Sequence, residues 1–254
     1  MTLAARIIPT LLMKGRQLVK GERFNPWRSV GLVAQAVQVH AARGVDELVL
    51  LDVAATTEGR GPDLALIEEL SHTLFCPLSV GGGVRSVEDV KALLRAGADK
   101  VVIGTAAVTD LIGDAAEVSG RQAIVAAVDV KEGIARVRGG NATILGPTMD
   151  PLTACSALDW ARICAAEGAG EILLTAIDRE GTMSGYDLDL IRQVAVAVSI
   201  PVIAHGGCSG YEDMRLAIEA GASGVAAGAL FQFTDCTPRA AARYLSAHGV
   251  EARI

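Results

Sequence analysis

The sequence has no CxxC pair, no GxGxxG after its first strand-like run, no apolar stretch of about 18 residues and no stripe of basic residues. Each absence removes a class of protein. Five cysteines (Cys76, Cys155, Cys164, Cys208, Cys236) form neither a zinc frame nor an even disulfide set, so they read as thiols in a reducing cytoplasm. Without the glycine fingerprint an open dinucleotide-binding sheet is disfavoured, and no cofactor or metal is expected. No membrane span and no signal peptide are expected. In a cytoplasmic protein the sequon at Asn141-Ala142-Thr143 would go unused. A net charge of −6 argues against nucleic acid as a partner.

What is present is a large apolar fraction, 51% of 254 residues, enough for the core of one (β/α)8 barrel domain over residues 1–254. The stretch Gly168–Asp187 has an apolar run entered through Glu171 and left through a polar, glycine-punctuated loop. Gly44–Asp63 is its twin, 124 residues earlier. At that offset Pro77 pairs with Pro201, Gly82 with Gly206, Gly83 with Gly207, Asp89 with Asp213, Gly97 with Gly221, and Gly104 with Gly228. A register held that long is an internal duplication, with half-barrels of about 1–120 and 121–254.

The pattern predicts strands at Ile7–Leu12, Glu47–Asp52, Pro77–Val80, Lys100–Ile103, Ile124–Lys131, the run after Glu171, Pro201–Ala204 and Gly224–Ala227. Helices are predicted over Val30–Arg43, from Pro62-Asp63, from a Ser86 cap with Asp89 three residues on, over Pro151–Glu167, and over Pro238–Ala247. A long polar loop at Lys14–Ser29, carrying Phe24 and Trp27, reads as functional or mobile. Gly133–Asp150 reads as a hairpin inserted after the fifth strand. Eight alternating units, duplicated four plus four, predict a closed parallel barrel rather than an open sheet.

In such a barrel the C-terminal strand ends carry the chemistry. Glycines there let backbone amides approach an anion. Gly82 and Gly83 with Gly104 and Thr105 make one such set; Gly206 and Gly207 with Gly228 and Ala229 make another. Two sets imply a ligand with a phosphate at each end. The plainer reading is that these glycines only make tight turns. Asp129 ends the fifth strand and is the candidate acid or base. Asp52, Asp178 and Glu180 are weaker candidates, and Asp178 could equally cap a turn. At the opposite strand ends stand Arg6, Glu47, Lys100 and Glu171, which either plug the barrel with salt bridges or ring an axial opening.

The strings RIIP at Arg6, LVKG at Leu18, DELVLLD at Asp46, VGGG at Val80, RAGADKV at Arg95, TAAV at Thr105, GAGEILLT at Gly168, DREGTMSGYDL at Asp178 and SIPVIA at Ser199 resemble the cyclase subunit of imidazole glycerol phosphate synthase over nearly the whole chain. The resemblance implies a duplicated half-barrel and a bisphosphate substrate. It also implies a heterodimer with a glutaminase, docked on the N-terminal face, that sends ammonia through the barrel. It makes Arg6, Glu47, Lys100 and Glu171 an ammonia gate, Lys20 a mobile-loop lysine that contacts substrate, and Asp129 the catalytic aspartate of the fifth strand. The family pairs that aspartate with one ending the first strand. Here Leu12 occupies that position, 117 residues before Asp129. Gly104 stands for the usual Asn, Glu180 for the usual Asp, and His205 for a small residue before Gly206. Cyclase-like proteins with the same leucine are associated with nitrogen insertion in surface-sugar or other specialised pathways. The expected function is therefore a synthase subunit that puts channelled ammonia on a phosphorylated or nucleotide-linked substrate. An orthodox histidine-pathway cyclase and a silent barrel that activates a glutaminase are the alternatives.

Overall fold

A computed structural model describes residues 4–144 and 154–253. The elements, in chain order, are β1 (Arg6–Lys14), β2 (Gln17–Lys20), β3 (Arg28–Leu32), α1 (Val33–Ala42), β4 (Leu48–Asp52), α2 (Leu64–Ser71), β5 (Leu78–Gly81), α3 (Val87–Arg95), β6 (Lys100–Ile103), α4 (Leu111–Ser119), β7 (Ile124–Lys131), β8 (Ile134–Val137) and β9 (Ala142–Thr143). They continue with α5 (Ala157–Glu167), β10 (Glu171–Ala176), α6 (Leu188–Ala197), β11 (Val202–His205), α7 (Tyr211–Glu219), β12 (Gly224–Ala227), α8 (Ala229–Phe233) and α9 (Pro238–Ala247). β1, β4, β5, β6, β7, β10, β11 and β12 pair in parallel in that order, and β12 pairs with β1, so the sheet closes into a (β/α)8 barrel.

Closure sorts the apolar residues into two populations. One set, including Ile8, Val49, Val102, Val125, Leu173, Ile203 and Ala226, fills the barrel interior. The larger set packs the outer strand faces against the helices, as Ile7, Leu11 and Leu50 do against Val37, Leu66 and Ile67. A strand buried on both faces has no polar alternation to display, hence runs such as LVLLD.

Helix starts follow local chemistry. Ser86 and Asp89 form a reciprocal capping box at α3, while Asp63, Asp187 and Thr237 cap α2, α6 and α9. Elsewhere the structure corrects the sequence reading. Residues 30–32, expected as helix, extend β3, which pairs antiparallel with β2, and β2 with β1. The expected loop at Lys14–Ser29 is thus mostly a hairpin prolonging β1. Helix α5 starts at Ala157 rather than Pro151, because the Ser156 side chain accepts from Asp159 N–H and caps it there. The start expected at Pro151 and the end of the hairpin expected to Asp150 lie outside the described residues. β5 and β11 each begin one residue after a proline, which has no N–H for the ladder. Each also ends one residue later than expected, which places His205 inside the barrel wall.

Candidate active site

Inward-facing positions alternate along each strand, so charge enters the barrel only at its ends. At the N-terminal end Arg6, Glu47, Lys100 and Glu171 alternate in sign around the axis. Arg6 Nη1 lies 2.9 Å from Glu47 Oε2 and 2.9 Å from Glu171 Oε1. Lys100 Nζ lies 3.1 Å from Glu47 Oε1 and 3.0 Å from Glu171 Oε2. Ser79 Oγ donates to Glu47 Oε1 at 2.9 Å. All four charges are therefore paired in a closed ring, with apolar barrel interior above it. The Thr10 hydroxyl, on the inward side of β1, is buried there without a partner among the described residues.

At the C-terminal end a cavity of about 360 Å³ opens. Leu12, Asp52, Gly82, Gly83, Gly104, Thr105, Asp129, Thr175 and His205 line it, with Phe24, Asn25 and Trp27 from the β2–β3 turn above. The parallel register sets Thr175 beside Asp129 on one side and beside His205 on the other, so three polar side chains share one level of the wall. Leu12 presents an apolar surface to the same cavity.

The Asp129 carboxyl is held far from its ordinary protonation range. Burial pushes its carboxyl up to about 7, the Thr175 hydroxyl pulls it down, and the Glu180 charge adds to the rise. A group that is half protonated near neutral pH can both give and take a proton. His205 is buried, its Nδ1 lies 3.2 Å from Thr175 Oγ1, and its Nε2 has no hydrogen-bond partner among the described residues. Glu180 Oε2 lies 3.9 Å from that nitrogen.

Other sequence candidates fall elsewhere. Asp52 lines the cavity, but its Oδ1 accepts from the N–H groups of Ala54 and Ala55, and Arg60 pairs with it at 3.1 Å. That carboxylate is committed to the turn after β4. Asp178 Oδ2 accepts from Glu132 N–H at 2.8 Å and ties the β10 loop to the β7–β8 turn, outside the cavity wall. Lys20 also lies outside that wall; its Nζ rests 4.8 Å from the Phe233 ring centroid. Gly82 has φ 107° and a side chain there would meet Asp52 O at 2.4 Å; Gly206 has φ 95° and would meet Ala176 O at 2.7 Å. Gly82, Gly83, Gly206 and Gly207 are thus required by close backbone approach, whereas a side chain at Gly104 would meet only Ala127 Cβ at 3.7 Å, and only the first set also borders the large cavity. The second borders a space of about 10 Å³ with Glu180 and His205. Helix dipoles contribute less than the sequence suggested. Asp89 and Asp213 fill the starts of α3 and α7, accepting from Arg85 and Ser86 N–H in the first case and from Ser209 N–H in the second.

Sequence reasoning missed the closing contacts of the mouth. Arg23 N–H donates to Glu180 O at 2.8 Å and Arg23 Nε to Asp178 O at 3.1 Å, so the β2–β3 turn is strapped to the β10 loop. Arg23 and Phe24 both have positive φ, 52° and 66°, a conformation non-glycine residues hold only under constraint. The tilted pair of Phe24 and Trp27, 6.1 Å apart, roofs the cavity. The hydrophobicity of that pair inside a polar segment was the available signal.

A closed barrel with a charged ring at one end and a roofed cavity holding a perturbed carboxyl at the other defines a class: a (β/α)8 enzyme with its reacting groups on the strand C-termini. Residues 6–237 match the family described as "Histidine biosynthesis protein". The chain is 44% identical over 254 residues to "Imidazole glycerol phosphate synthase subunit HisF" of Hyphomonas neptunium, covering 99% of both chains. It is 42% identical over 255 residues to the protein of the same name from Natranaerobius thermophilus, covering 99% of this chain and 100% of that one. The chain belongs to this family of imidazole glycerol phosphate synthase subunits.

Proposed function

We propose that this protein is the synthase subunit of a two-protein glutamine amidotransferase specialised away from the histidine pathway. Ammonia from a glutaminase docked on the N-terminal face enters past Arg6, Glu47, Lys100 and Glu171. It reaches a phosphorylated or nucleotide-linked acceptor in the mouth, and the reaction takes place in the cytoplasm. The observation that carries this reading is the contrast across one cavity, where Asp129 faces it with a carboxyl near pH 7 and Leu12 faces it with no ionisable group. As ammonia forms a bond to an electrophilic carbon, the electron pair moves onto the departing or carbonyl oxygen. Asp129 takes the proton released by nitrogen and returns one to that oxygen. The backbone amides around Gly82, Gly83, Gly104 and Thr105 seat the phosphate, and Phe24 and Trp27 exclude water above.

The runner-up is the orthodox cyclase of histidine biosynthesis, and full-length identity of 42–44% to subunits of that name favours it. One assay separates the two: purified protein, histidine-pathway substrate and saturating ammonium salt, with products resolved by chromatography. The specialised reading expects little imidazole glycerol phosphate, because loss of a general acid or base costs about 10²–10⁴ in rate. It also expects Leu12→Asp to raise the yield. Turnover near about one per second, an ordinary enzyme rate, would return the protein to the orthodox cyclases. Size-exclusion chromatography with the cognate glutaminase tests the partner; absence of a complex with and without substrate would defeat the ammonia-channel reading.

A further inference from the structure

Among the described residues, four titratable side chains line the large cavity: Lys14, Asp52, Asp129 and His205. Arg60 engages Asp52 at 3.1 Å, and Glu58 engages Lys14 at 3.2 Å. That leaves Asp129 and His205, and the two are joined. The parallel register puts Thr175 between them, level with Asp129 on β7 and with His205 on β11. The Thr175 hydroxyl hydrogen-bonds with the Asp129 carboxyl on one side and lies 3.2 Å from His205 Nδ1 on the other. Asp129 is half-buried at the cavity wall, whereas Thr175 and His205 are buried behind it.

We propose that His205 is the proton partner of Asp129, exchanging one proton with it through the Thr175 hydroxyl, so that the group Leu12 lacks is supplied from behind Asp129 rather than from across the cavity. The inference rests on Asp129 as the proton-transfer group of the reading above and adds a positioning residue to it. A hydroxyl has one proton to donate and lone pairs to accept with, so Thr175 cannot donate to both neighbours at once. With a neutral imidazole protonated at Nε2, Thr175 donates to Nδ1, and Oγ1 accepts from a protonated Asp129. With an imidazolium, Nδ1–H donates to Oγ1, and Thr175 donates to an ionised Asp129. The change from the first state to the second breaks the Asp129 O–H bond and the Thr175 O–H bond. It forms a new Thr175 O–H bond and the His205 Nδ1–H bond, so the proton count is unchanged. Asp129 can thus hand back a proton taken from nitrogen and recover it for the departing oxygen. The surroundings favour the Nε2–H tautomer that this exchange needs. Nε2 is buried, without a hydrogen-bond partner among the described residues, and 3.9 Å from Glu180 Oε2, whose charge attracts an N–H and repels a lone pair. On β12 the residue paired with His205 is the uncharged Ala226. The Tyr186 hydroxyl donates to Ala226 O at 2.9 Å, and Cys208 Sγ donates to Gly210 O at 3.5 Å. Glu180 and Asp129 are therefore the two charges that act on the imidazole. Burial raises the Asp129 carboxyl to about 7, into the range where imidazoles titrate, so little energy separates the two states.

The test uses the full-length protein without substrate, its imidazoles and aspartate carboxyls isotope-labelled, followed by NMR from about pH 5 to pH 8. His205→Gln and Asp129→Asn assign the two signals by their loss. In the wild type, neutral His205 should carry its proton on Nε2. Asp129→Asn should lower the His205 midpoint by about one pH unit or more, the mark of a coupled pair, because the imidazolium loses its anionic partner. Thr175→Val should abolish most of that response, and Thr175→Ser, which keeps the hydroxyl, should retain it. A purely structural hydroxyl would leave the response the same in both backgrounds. A neutral imidazole protonated on Nδ1, a His205 that stays neutral over the whole range, or a response to Asp129→Asn that is equal with and without the Thr175 hydroxyl overturns this inference and leaves Asp129 in its role. An Asp129 carboxyl that titrates at its ordinary value of about 4 removes Asp129 from that role and this inference with it. The wild-type tautomer and the Asp129→Asn shift decide the matter even if Thr175→Val does not fold.

Discussion

The two ends of this barrel spend charge in opposite ways. At the N-terminal end four ionised side chains satisfy one another, each within 3.1 Å of two partners of opposite sign. At the C-terminal end Asp129 is crowded by protein and, among the described residues, has no cation beside it, while His205 keeps one nitrogen unbonded there. The difference shows where stability and where reactivity reside. A mutually paired ring is a low-energy arrangement that resists change. A desolvated carboxyl is held in a costly one, and groups displaced from their ordinary protonation range mark functional sites.

The largest effect expected from breaking this contrast is at Asp129. Asp129→Asn should lower turnover on the native acceptor by about 10²–10⁴, because the amide can neither take nor return the proton. The same change should stabilise the fold in alkali. The folded-state carboxyl is raised from about 3.8 to about 7, so its neutral form fits the fold better. Wild-type stability from this group is complete below about pH 4 and is lost as pH rises toward and through about 7. At pH 8 the Asn variant should therefore be more stable by roughly 1–3 kcal/mol, after allowance for solvent in the cavity. Thermal melts at pH 5 and pH 8 check this, and a melting gain equal at both pH values would sink the argument.

The ring should behave in the reverse manner. Glu47→Ala leaves Arg6 and Lys100 sharing Glu171 alone and should cost about 3 kcal/mol of stability, the lower end for one partner lost from a buried pair. Denaturant unfolding measures it. Turnover with external ammonium should fall much less than for Asp129→Asn; if the two variants lose activity alike, the two ends are not functionally distinct.

His40, on the buried face of α1 with Val33 and Val37, sharpens the comparison as a third kind of buried titratable group. Burial lowers its pKa from 6.5 to about 4, with Arg43 adding to the drop. Its neutral form suits the fold, so its contribution is complete above about pH 6.5 and is lost as pH falls through that value toward about 4. The loss should reach about 3 kcal/mol. His40→Leu should flatten the acid limb of a stability–pH curve between those values, and an unchanged limb would assign it to other groups.

The smallest effect belongs to the roof. Lys20→Ala removes the cation over Phe233 and should change stability by about 0.5–1 kcal/mol. Hydrogen exchange at residues 21–27 should quicken while the ring end is untouched. A loss of substrate affinity of more than about tenfold would show instead that Lys20 swings into the mouth and meets the ligand.

The amino-acid order alone determined much of this protein. Continuous apolar runs at repeating intervals fit strands buried on both faces, and an offset of 124 kept over Pro77, Gly82, Asp89 and Gly104 reads as a repeat. Caps such as Ser86 and the catalytic candidate Asp129 were legible for the same reason: their meaning is fixed by neighbours a few residues away. Tertiary structure decided what depends on distant residues. The hairpin of β2 and β3 replaced an expected loop and helix start because its polar strands gain a ladder only once β1 is in place. Asp52 and Asp178 are acidic residues at strand ends like Asp129, and only the fold shows that Arg60 and the Glu132 amide engage them. The ring needed four strands brought to one axis, across sequence separations of 41 to 165 residues. The unequal sizes of the two glycine pockets emerged last, because volume and charge at a site are properties of everything that surrounds it, and no local pattern encodes them.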